Sequence, residues 1–301
     1  MSPQNATTVV AERPGSGAAR EYILTLTCAE RPGIVHEVSG FLVAHDCDIV
    51  ENQQFGDRES GRFFMRVHFQ RLGGEIDIAL LRSRFAGIAS RSDMEWGLHA
   101  ADDRPRLLLM VSRLGHCLND LLYRWSTGAL HAEVTGIVSN HPDFADLAAS
   151  HKLPFHHLPV TPETKRQQEA RLLEIVEEQQ IDLVVLARYM QILSPQACTA
   201  LAGRAVNIHH SFLPGFAGAR PYHQAHERGV KLIGATAHFV TPDLDEGPII
   251  EQEVVRVDHT RTAAQLTAIG REVECLALSH ALQAIVERRV LLNGNRTVVF
   301  R

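Results

Sequence analysis

The sequence predicts an α/β protein in two units: a βαββαβ unit, then a larger unit built on a doubly wound, mostly parallel sheet. The first observation is that residues 22–27 alternate apolar and polar side chains, as a half-buried strand does. The second is a change of pattern at residues 102–105, after which short apolar runs alternate with helical stretches. Strands buried on both faces and separated by helices are typical of parallel sheets.

The first unit, residues 21–101, contains the six elements of a ferredoxin-like module. A turn at Arg31-Pro32-Gly33 ends the first strand, and apolar residues then recur at helical spacing. Turn residues 56–61 join the next two strands. We therefore predict, in order, a strand at 22–27, a helix at 34–42, strands at 48–55 and 62–69, a helix at 76–88 and a strand at 94–99.

The second unit, residues 106–301, follows a predicted linker at 102–105. Nearly continuous apolar runs predict buried strands at 106–112, 134–139, 181–187, 205–209, 233–240 and 249–257. Helical periodicity predicts helices at 117–125, 142–151, 162–179 and 262–288. The pair Asn293-Gly294 predicts a terminal hairpin. Residues 1–20 are small and polar, and we predict a disordered tail there.

Composition limits the possible functions. The chain has 301 residues and a net charge of −5, so no basic footprint for nucleic acid is present. No apolar run reaches the roughly 18 residues that a membrane span needs, and we expect no membrane partner. The five cysteines form no C-x-x-C pair, which argues against a disulfide or zinc framework and favours a reducing, cytoplasmic location.

The most informative stretch is residues 207–214, Asn-Ile-His-His-Ser-Phe-Leu-Pro. It lies where a buried strand meets a loop, and ligands usually bind at such a switch in α/β sheets. An amide such as Asn207 donates to a developing oxyanion, His209 can move a proton near neutral pH, and Asp245 can orient or charge-stabilise that imidazole. These residue types point to acyl or formyl transfer from an amide-like donor.

Three longer motifs carry a resemblance to a known family. They are residues 207–214, residues 218–225 (Gly-Ala-Arg-Pro-Tyr-His-Gln-Ala) and residues 244–250 (Leu-Asp-Glu-Gly-Pro-Ile-Ile). With them, the chain after residue 20 resembles the formyltetrahydrofolate deformylase family. The resemblance implies a ferredoxin-like ACT regulatory domain followed by a Rossmann-like formyltransferase domain. It also implies hydrolysis of 10-formyltetrahydrofolate to tetrahydrofolate and formate, which supplies formate for purine biosynthesis and balances the one-carbon folate pool.

The resemblance also implies roles for individual residues. The catalytic trio would be Asn207, His209 and Asp245, with no metal and no cofactor. Substrate-binding residues would be Tyr189, Met190, Gln191, Ile192, Leu193, His210, Tyr222, His238, Thr241 and Gly247. The ACT module would bind an amino-acid effector, glycine or methionine, through Arg31, Gly33 and Asn52, and would make the protein a homo-oligomer.

Several alternatives stay open. A formyltransferase acting on a small amine is the first, although its usual glycine-rich phosphate loop is replaced by residues 112–118, which hold a single glycine. A metal-dependent amidohydrolase would normally show H-E-x-x-H or H-x-H spacing, and neither occurs in the sequence. A non-catalytic sensor of folate or an amino acid is the third. For His210, His238 and Tyr222 a packing role is as good an interpretation as substrate binding, and Cys117 is expected to be a packed cysteine and not a nucleophile.

Overall fold

The computed structural model describes residues 20–72, 77–213 and 221–301. The predicted tail at 1–20 lies outside these residues, apart from Arg20. So do the first three residues of the 218–225 motif. The strands are β1 Glu21–Ala29, β2 Cys47–Asp57, β3 Arg62–Arg71, β4 Glu95–Ala100, β5 Arg106–Val111, β6 Glu133–Ser139, β7 Phe155–His157, β8 Leu183–Leu186, β9 Ala205–His209, β10 Leu232–Phe239, β11 Ile249–Arg256, β12 Val290–Asn293 and β13 Arg296–Val299. The helices are α1 Ile34–Val43, α2 Ile78–Arg91, α3 His116–Ser126, α4 Ala145–Ser150, α5 Lys165–Glu178, α6 Pro195–Ala200, α7 Pro221–Glu227 and α8 Ala263–Val286.

The N-terminal elements form a four-stranded antiparallel sheet in the order β2-β3-β1-β4. Apolar residues of α1 and α2, among them Val38 and Phe85, pack with strand residues such as Leu24 and Met65 in one buried cluster. Gly33, which precedes α1, has a φ of 94°, a conformation that glycine adopts without strain. The predicted ferredoxin-like order is therefore confirmed.

The larger sheet has seven strands in the order β11-β10-β9-β8-β5-β6-β7. The strands from β5 to β9 run parallel, whereas β10 and β11 are antiparallel. All four residues of β8 are buried, which explains its continuous apolar sequence. The strand order reverses at β5, with β6 and β7 on one side and β8 and β9 on the other. Such a reversal opens a crevice at the carboxyl ends of the strands.

Three short elements were not predicted: β7, α6 and α7. β7 has three residues, too few for any periodicity to show. α6 begins with Pro195 after Ser194, whose side chain accepts a hydrogen bond from the Ala197 amide at 3.2 Å. Of the helices that the model describes, none combines the length and apolar character that a bilayer crossing would require.

The terminal hairpin β12–β13 contacts the N-terminal sheet. Its residue Asn293 donates a hydrogen bond to Asp57 Oδ2 at 2.7 Å, and Arg296 Nη2 lies 3.1 Å from the same oxygen. Phe64, on β3, is buried with Leu291 and Phe300. Hydrogen bonds from Ser60 and Asn293 lower the pKa of Asp57 to about 2, so its carboxylate is ionised at neutral pH. Thr297 of β13 also donates to the Ile249 carbonyl oxygen of β11 at 2.5 Å, so the hairpin contacts both sheets.

Candidate active site

The motif residues occupy the end of β9 and the strand beside it. Asn207 lies between Leu186 of β8 and His238 of β10 in the strand register. The buried hydroxyl of Thr236 accepts a hydrogen bond from the Leu213 amide at 3.1 Å and donates one to the Ser211 carbonyl at 3.0 Å. These two bonds hold the chain that leaves β9.

His209 is buried, with 5% of its surface exposed, and has a partner at each ring nitrogen. Its Nδ1 lies 3.2 Å from Asp245 Oδ1, and its Nε2 lies 2.8 Å from the Ser211 hydroxyl oxygen. An ionised carboxylate only accepts, so the Nδ1 hydrogen points at Asp245. In the neutral ring Nε2 then accepts from Ser211, and in the protonated ring it can donate to a bound group.

His238 links Asn207 to Asp245. Its Nδ1 donates to the carbonyl oxygen of Phe239 at 2.9 Å, which leaves Nε2 as an acceptor in the neutral ring. The Asn207 amide donates to that Nε2 at 3.2 Å, and Asp245 Oδ1 lies 3.7 Å from it. One amide hydrogen bond therefore fixes the rotation of the Asn207 side chain, and the second amide hydrogen remains available to a substrate.

Asp245 lies in the connection between β10 and β11 and has a φ of 59°, a strained value outside glycine. The hydrogen bond from His209 and, after it, the nearby ring of His238 hold the pKa of Asp245 well below its usual range, although burial acts in the opposite direction. The carboxylate is therefore ionised at neutral pH and can stabilise positive charge that develops on the His209 ring during a reaction.

Gly247, two residues later, contacts the backbone and not the cavity. A Cβ at this position would lie 1.7 Å from the Phe239 carbonyl oxygen and 3.2 Å from His238 Nδ1. Among the residues described, those that line the pocket do not include Gly247, so its predicted contact with substrate has no counterpart here. The glycine instead lets the Asp245 connection close onto β10.

The side chains of Asn207, His209, His238 and Asp245 open into a cavity of about 570 Å³. The cavity lining also includes the other predicted substrate-binding residues: Tyr189, Met190, Gln191, Ile192, Leu193, His210, Tyr222 and Thr241. Met190 and Ile192 are more than half exposed at this cavity, as is Leu244 of the β10–β11 connection. A concentration of exposed apolar side chains around a concave site is typical of a ligand site.

His210, the next residue in the chain, has a lowered pKa, unlike a free histidine. Burial, the charge of Arg188 and the neighbouring His209 lower the pKa of His210 to about 4. Its ring centroid lies 5.1 Å from that of His209. His210 is therefore neutral near pH 7 and adds no positive charge beside His209.

Sequence reasoning missed four residues near the trio. Ser211 stood within the quoted motif, but nothing in its position distinguished it from a loop serine. The others are Arg188, His116 and Glu274, which come from three distant segments. One signal existed for Glu274: it interrupts the apolar face of α8, where a buried carboxylate needs partners.

The predicted effector residues do not converge within one chain. Arg31 is paired with Glu37 at 2.7 Å and also contacts the Ser92 hydroxyl. Asn52 is exposed on β2, five residues from Asp57, which lies at the end of the sheet nearest Arg31. At roughly 3.3 Å per residue this separation is on the order of 16 Å.

One group of potential metal ligands occurs in the described ranges. His116, Cys117 and Glu274 offer ligand atoms within 4.8 Å of one another. However, Glu274 already accepts hydrogen bonds from His116 and from the Tyr222 hydroxyl, and the Arg188 guanidinium lies 3.3 Å away. A cation would have to displace these donors beside a fixed positive charge, so the group is a hydrogen-bonded network and not a metal centre.

The sequence is similar to a known family and to named proteins. The family model described as "Formyl transferase" matches residues 105–282. A formyltetrahydrofolate deformylase of Corynebacterium sp. (strain P-1) is 51% identical over 280 residues, which are 93% of this chain and 98% of the relative. That of Bacillus subtilis (strain 168) is 45% identical, over 92% of this chain and 93% of the relative.

Solved structures of deformylases are also similar to this fold. The formyltetrahydrofolate deformylase of Burkholderia mallei ATCC 23344 superposes with a TM-score of 0.91 at 57% identity, covering 94% of this chain and all of that one. Glycinamide ribonucleotide transformylase 1 of Symbiobacterium toebii has a TM-score of 0.61 at 30% identity, over 66% of this chain and 95% of its own. The likeness to the deformylases spans both sheets, and the chain belongs to the formyltetrahydrofolate deformylase family.

Proposed function

We propose that this protein hydrolyses 10-formyltetrahydrofolate to tetrahydrofolate and formate. The observation that carries the proposal is the grouping of Asn207, His209 and ionised Asp245 at the mouth of a strand-end cavity. The names of the relatives support the choice of substrate. In the cell the reaction would supply formate for purine biosynthesis and balance the one-carbon folate pool.

The first chemical step is addition of water to the formyl carbon, which places negative charge on the formyl oxygen. The free amide hydrogen of Asn207 and the protonated Nε2 of His209 are the donors for that oxygen. Donors fixed before the reaction stabilise developing charge without reorganising, and one of them is typically worth on the order of a hundredfold in rate.

The second step breaks the bond between the formyl carbon and the folate nitrogen. That nitrogen leaves readily only when it receives a proton, and His209 is the acid positioned to give it. The proton that the added water loses then restores the protonated ring, and the formyl carbon leaves with the water oxygen as formate. Asp245, 3.2 Å from Nδ1, stabilises the imidazolium before transfer and holds the ring afterwards. A covalent intermediate is not required.

The folate would lie along the segment 189–193 and the β10–β11 connection. Exposed Met190, Ile192 and Leu244 give its flat ring an apolar rim. Backbone amides and carbonyls of the same segments suit the row of donors and acceptors on a pterin edge.

Product analysis tests the proposal. Purified protein incubated with 10-formyltetrahydrofolate and no amine is expected to release formate in a one-to-one ratio with tetrahydrofolate. EDTA is expected to leave the rate unchanged, because the chemistry above needs no metal and no cofactor. A formyltransferase would need an amine to turn over, a metal-dependent hydrolase would lose activity with EDTA and regain it with zinc, and a folate sensor would release no formate.

We also propose that the N-terminal sheet belongs to a regulatory domain. We assign residues 21–101 to an ACT domain, 102–105 to a linker and 106–301 to the catalytic domain. A glycine or methionine effector would contact Arg31 and Gly33 of one chain and Asn52 of a neighbouring copy, since Asn52 lies too far from Arg31 within one chain. The exposed position of β2 at the edge of its sheet supports this arrangement.

Pairing through β2 gives a testable oligomer. Val50, at the β2 bulge, is 50% exposed, and Val50→Lys places a charge on the edge strand. We expect light scattering to show an oligomer for the wild type and a smaller particle for Val50→Lys, with any response of formate release to glycine or methionine lost. Leu232→Lys, at a residue 51% exposed in the other sheet, is the matched control. Equal masses for wild type and Val50→Lys would contradict pairing through this edge.

A further inference from the structure

The cavity has a second wall that the mechanism above does not use. It comprises Arg188, which follows β8, His116 at the start of α3, Glu274 in the middle of α8 and Tyr222 in α7. Folate is assigned above to another part of the lining, formed by residues 189–193 and the β10–β11 connection. A nucleophile must approach the planar formyl group from a side that folate leaves open, and the second wall is the part of the lining that remains for it.

Glu274 is the centre of the wall. It is 1% exposed, and it accepts from His116 Nε2 at 2.7 Å and from the Tyr222 hydroxyl at 2.8 Å. Burial alone raises the pKa of Glu274, but the His116 hydrogen bond and the Arg188 charge lower it overall, so the carboxylate is ionised. Gly270 makes room for this contact, because a Cβ there would lie 2.0 Å from the Tyr222 ring.

Arg188 is the remaining member of the wall, and its backbone is strained. It is 7% exposed and has a φ of 67°, a region that L-residues rarely occupy. Its Nε lies 3.3 Å from Glu274 Oε2 but has no hydrogen-bonded partner among the described residues. A buried arginine with a strained backbone and incomplete hydrogen bonding lowers the stability of the fold. Its presence therefore indicates a functional constraint.

We infer that the Arg188–Glu274 pair, held by His116 and Tyr222, fills the acceptor side of the site and so restricts the nucleophile to water. The chain supplies its own ion pair where an amine-bearing acceptor would have to bind. Glu274 is held by two donors, His116 and Tyr222, and the Arg188 guanidinium forms an ion pair with it. On this inference water reaches the formyl carbon beside the wall, whereas a primary amine with its substituent is excluded.

The pair is therefore a specificity determinant for the proposed hydrolysis, on which this inference rests. In the opened site the nitrogen of a primary amine bonds to the formyl carbon, and the bond from that carbon to the folate nitrogen breaks. The proton lost by the amine ends on the folate nitrogen. The products are an N-formyl amine and tetrahydrofolate, and no oxidant or further reactant is needed.

The test is a double variant, Arg188→Gly with Glu274→Gln. Glycine relieves the positive φ, and loss of both charges leaves neither one buried alone. Glutamine keeps one of the two oxygens as an acceptor, and its amide nitrogen can donate to the other partner, because both a hydroxyl and a neutral imidazole can accept. Glycinamide is titrated against 10-formyltetrahydrofolate, and formate and N-formylglycinamide are measured by mass spectrometry. Arg113→Gly, which removes an exposed arginine from the β5–α3 loop, is the control.

We expect wild type and Arg113→Gly to release formate at every glycinamide concentration. The double variant is expected to raise the ratio of N-formylglycinamide to formate by at least about tenfold, a typical size for opening a pocket to a larger group. A folded double variant with the wild-type ratio would overturn the inference. So would a folded variant that makes neither product, since the pair would then be needed for the reaction itself.

Two controls keep these outcomes distinct. Where the double variant does not fold, as judged by circular dichroism, Arg188→Gly alone replaces it in the same assay. Failure of the proposed function would be seen in a different measurement, the reactions of wild type without glycinamide. Those reactions would then release no formate.

Discussion

His209→Ala is expected to lower the rate of formate release by on the order of a thousandfold or more, with little change in folate binding. The substitution removes both a donor to the formyl oxygen and the acid that protonates the leaving nitrogen, and such an acid alone contributes about 10²–10⁴-fold. Both roles operate in the transition state, so kcat falls while KM changes little. Steady-state formate release and folate binding by fluorescence quenching measure the two quantities.

The matched control is His259→Ala, which removes an exposed histidine ahead of α8 in the same unit. Its activity should equal that of the wild type. Added imidazole should restore part of the activity of His209→Ala, since the lost ring leaves a space beside Asp245 and the cavity. A His209→Ala variant that retains a tenth or more of wild-type activity would remove His209 from the mechanism, whatever its effect on stability.

The grouping of the three residues proposed as catalytic was predictable because they lie close to recognisable strand ends. Asn207 and His209 share β9, and the next two strands flank the Asp245 connection, so one sheet edge collects all three. Periodicity found these strands, but it does not encode strand direction. The antiparallel pairing of β9 with β10, which brings His238 onto Asn207, became visible only in the structure.

The second wall was not predictable for a physical reason. His116 and Glu274 are 158 residues apart. His116 is simply a residue at a helix start, and the place of Glu274 on the apolar face of α8 shows that it needs partners but not which ones. Their contact depends on how α3 and α8 pack on the same side of the sheet. Local pattern gives the elements, while the pairing of buried charges between them depends on tertiary packing, which a single sequence does not report.

Gly247→Ala should damage both stability and activity. The added Cβ would meet the Phe239 carbonyl oxygen at 1.7 Å, and backbone atoms cannot rotate away as a side chain can. Overpacking of this kind costs about 1–3 kcal/mol of unfolding free energy. The connection must also move off β10, which carries Asp245 away from His209 and His238. A displacement on the order of 1 Å at such a site lowers the rate by roughly a hundredfold.

Urea unfolding and formate release measure the two effects, and Gly40→Ala is the matched control. Gly40 lies within α1, where an added Cβ meets nothing within 4 Å, so alanine there should stabilise the protein by about 0.5–1 kcal/mol. A Gly247→Ala variant with normal activity would show that the connection tolerates displacement. The Asp245 contact to His209 would then not depend on the close approach of backbone to backbone at Gly247. If activity falls further than the lost stability explains, the glycine acts by positioning Asp245, although it lies outside the cavity lining.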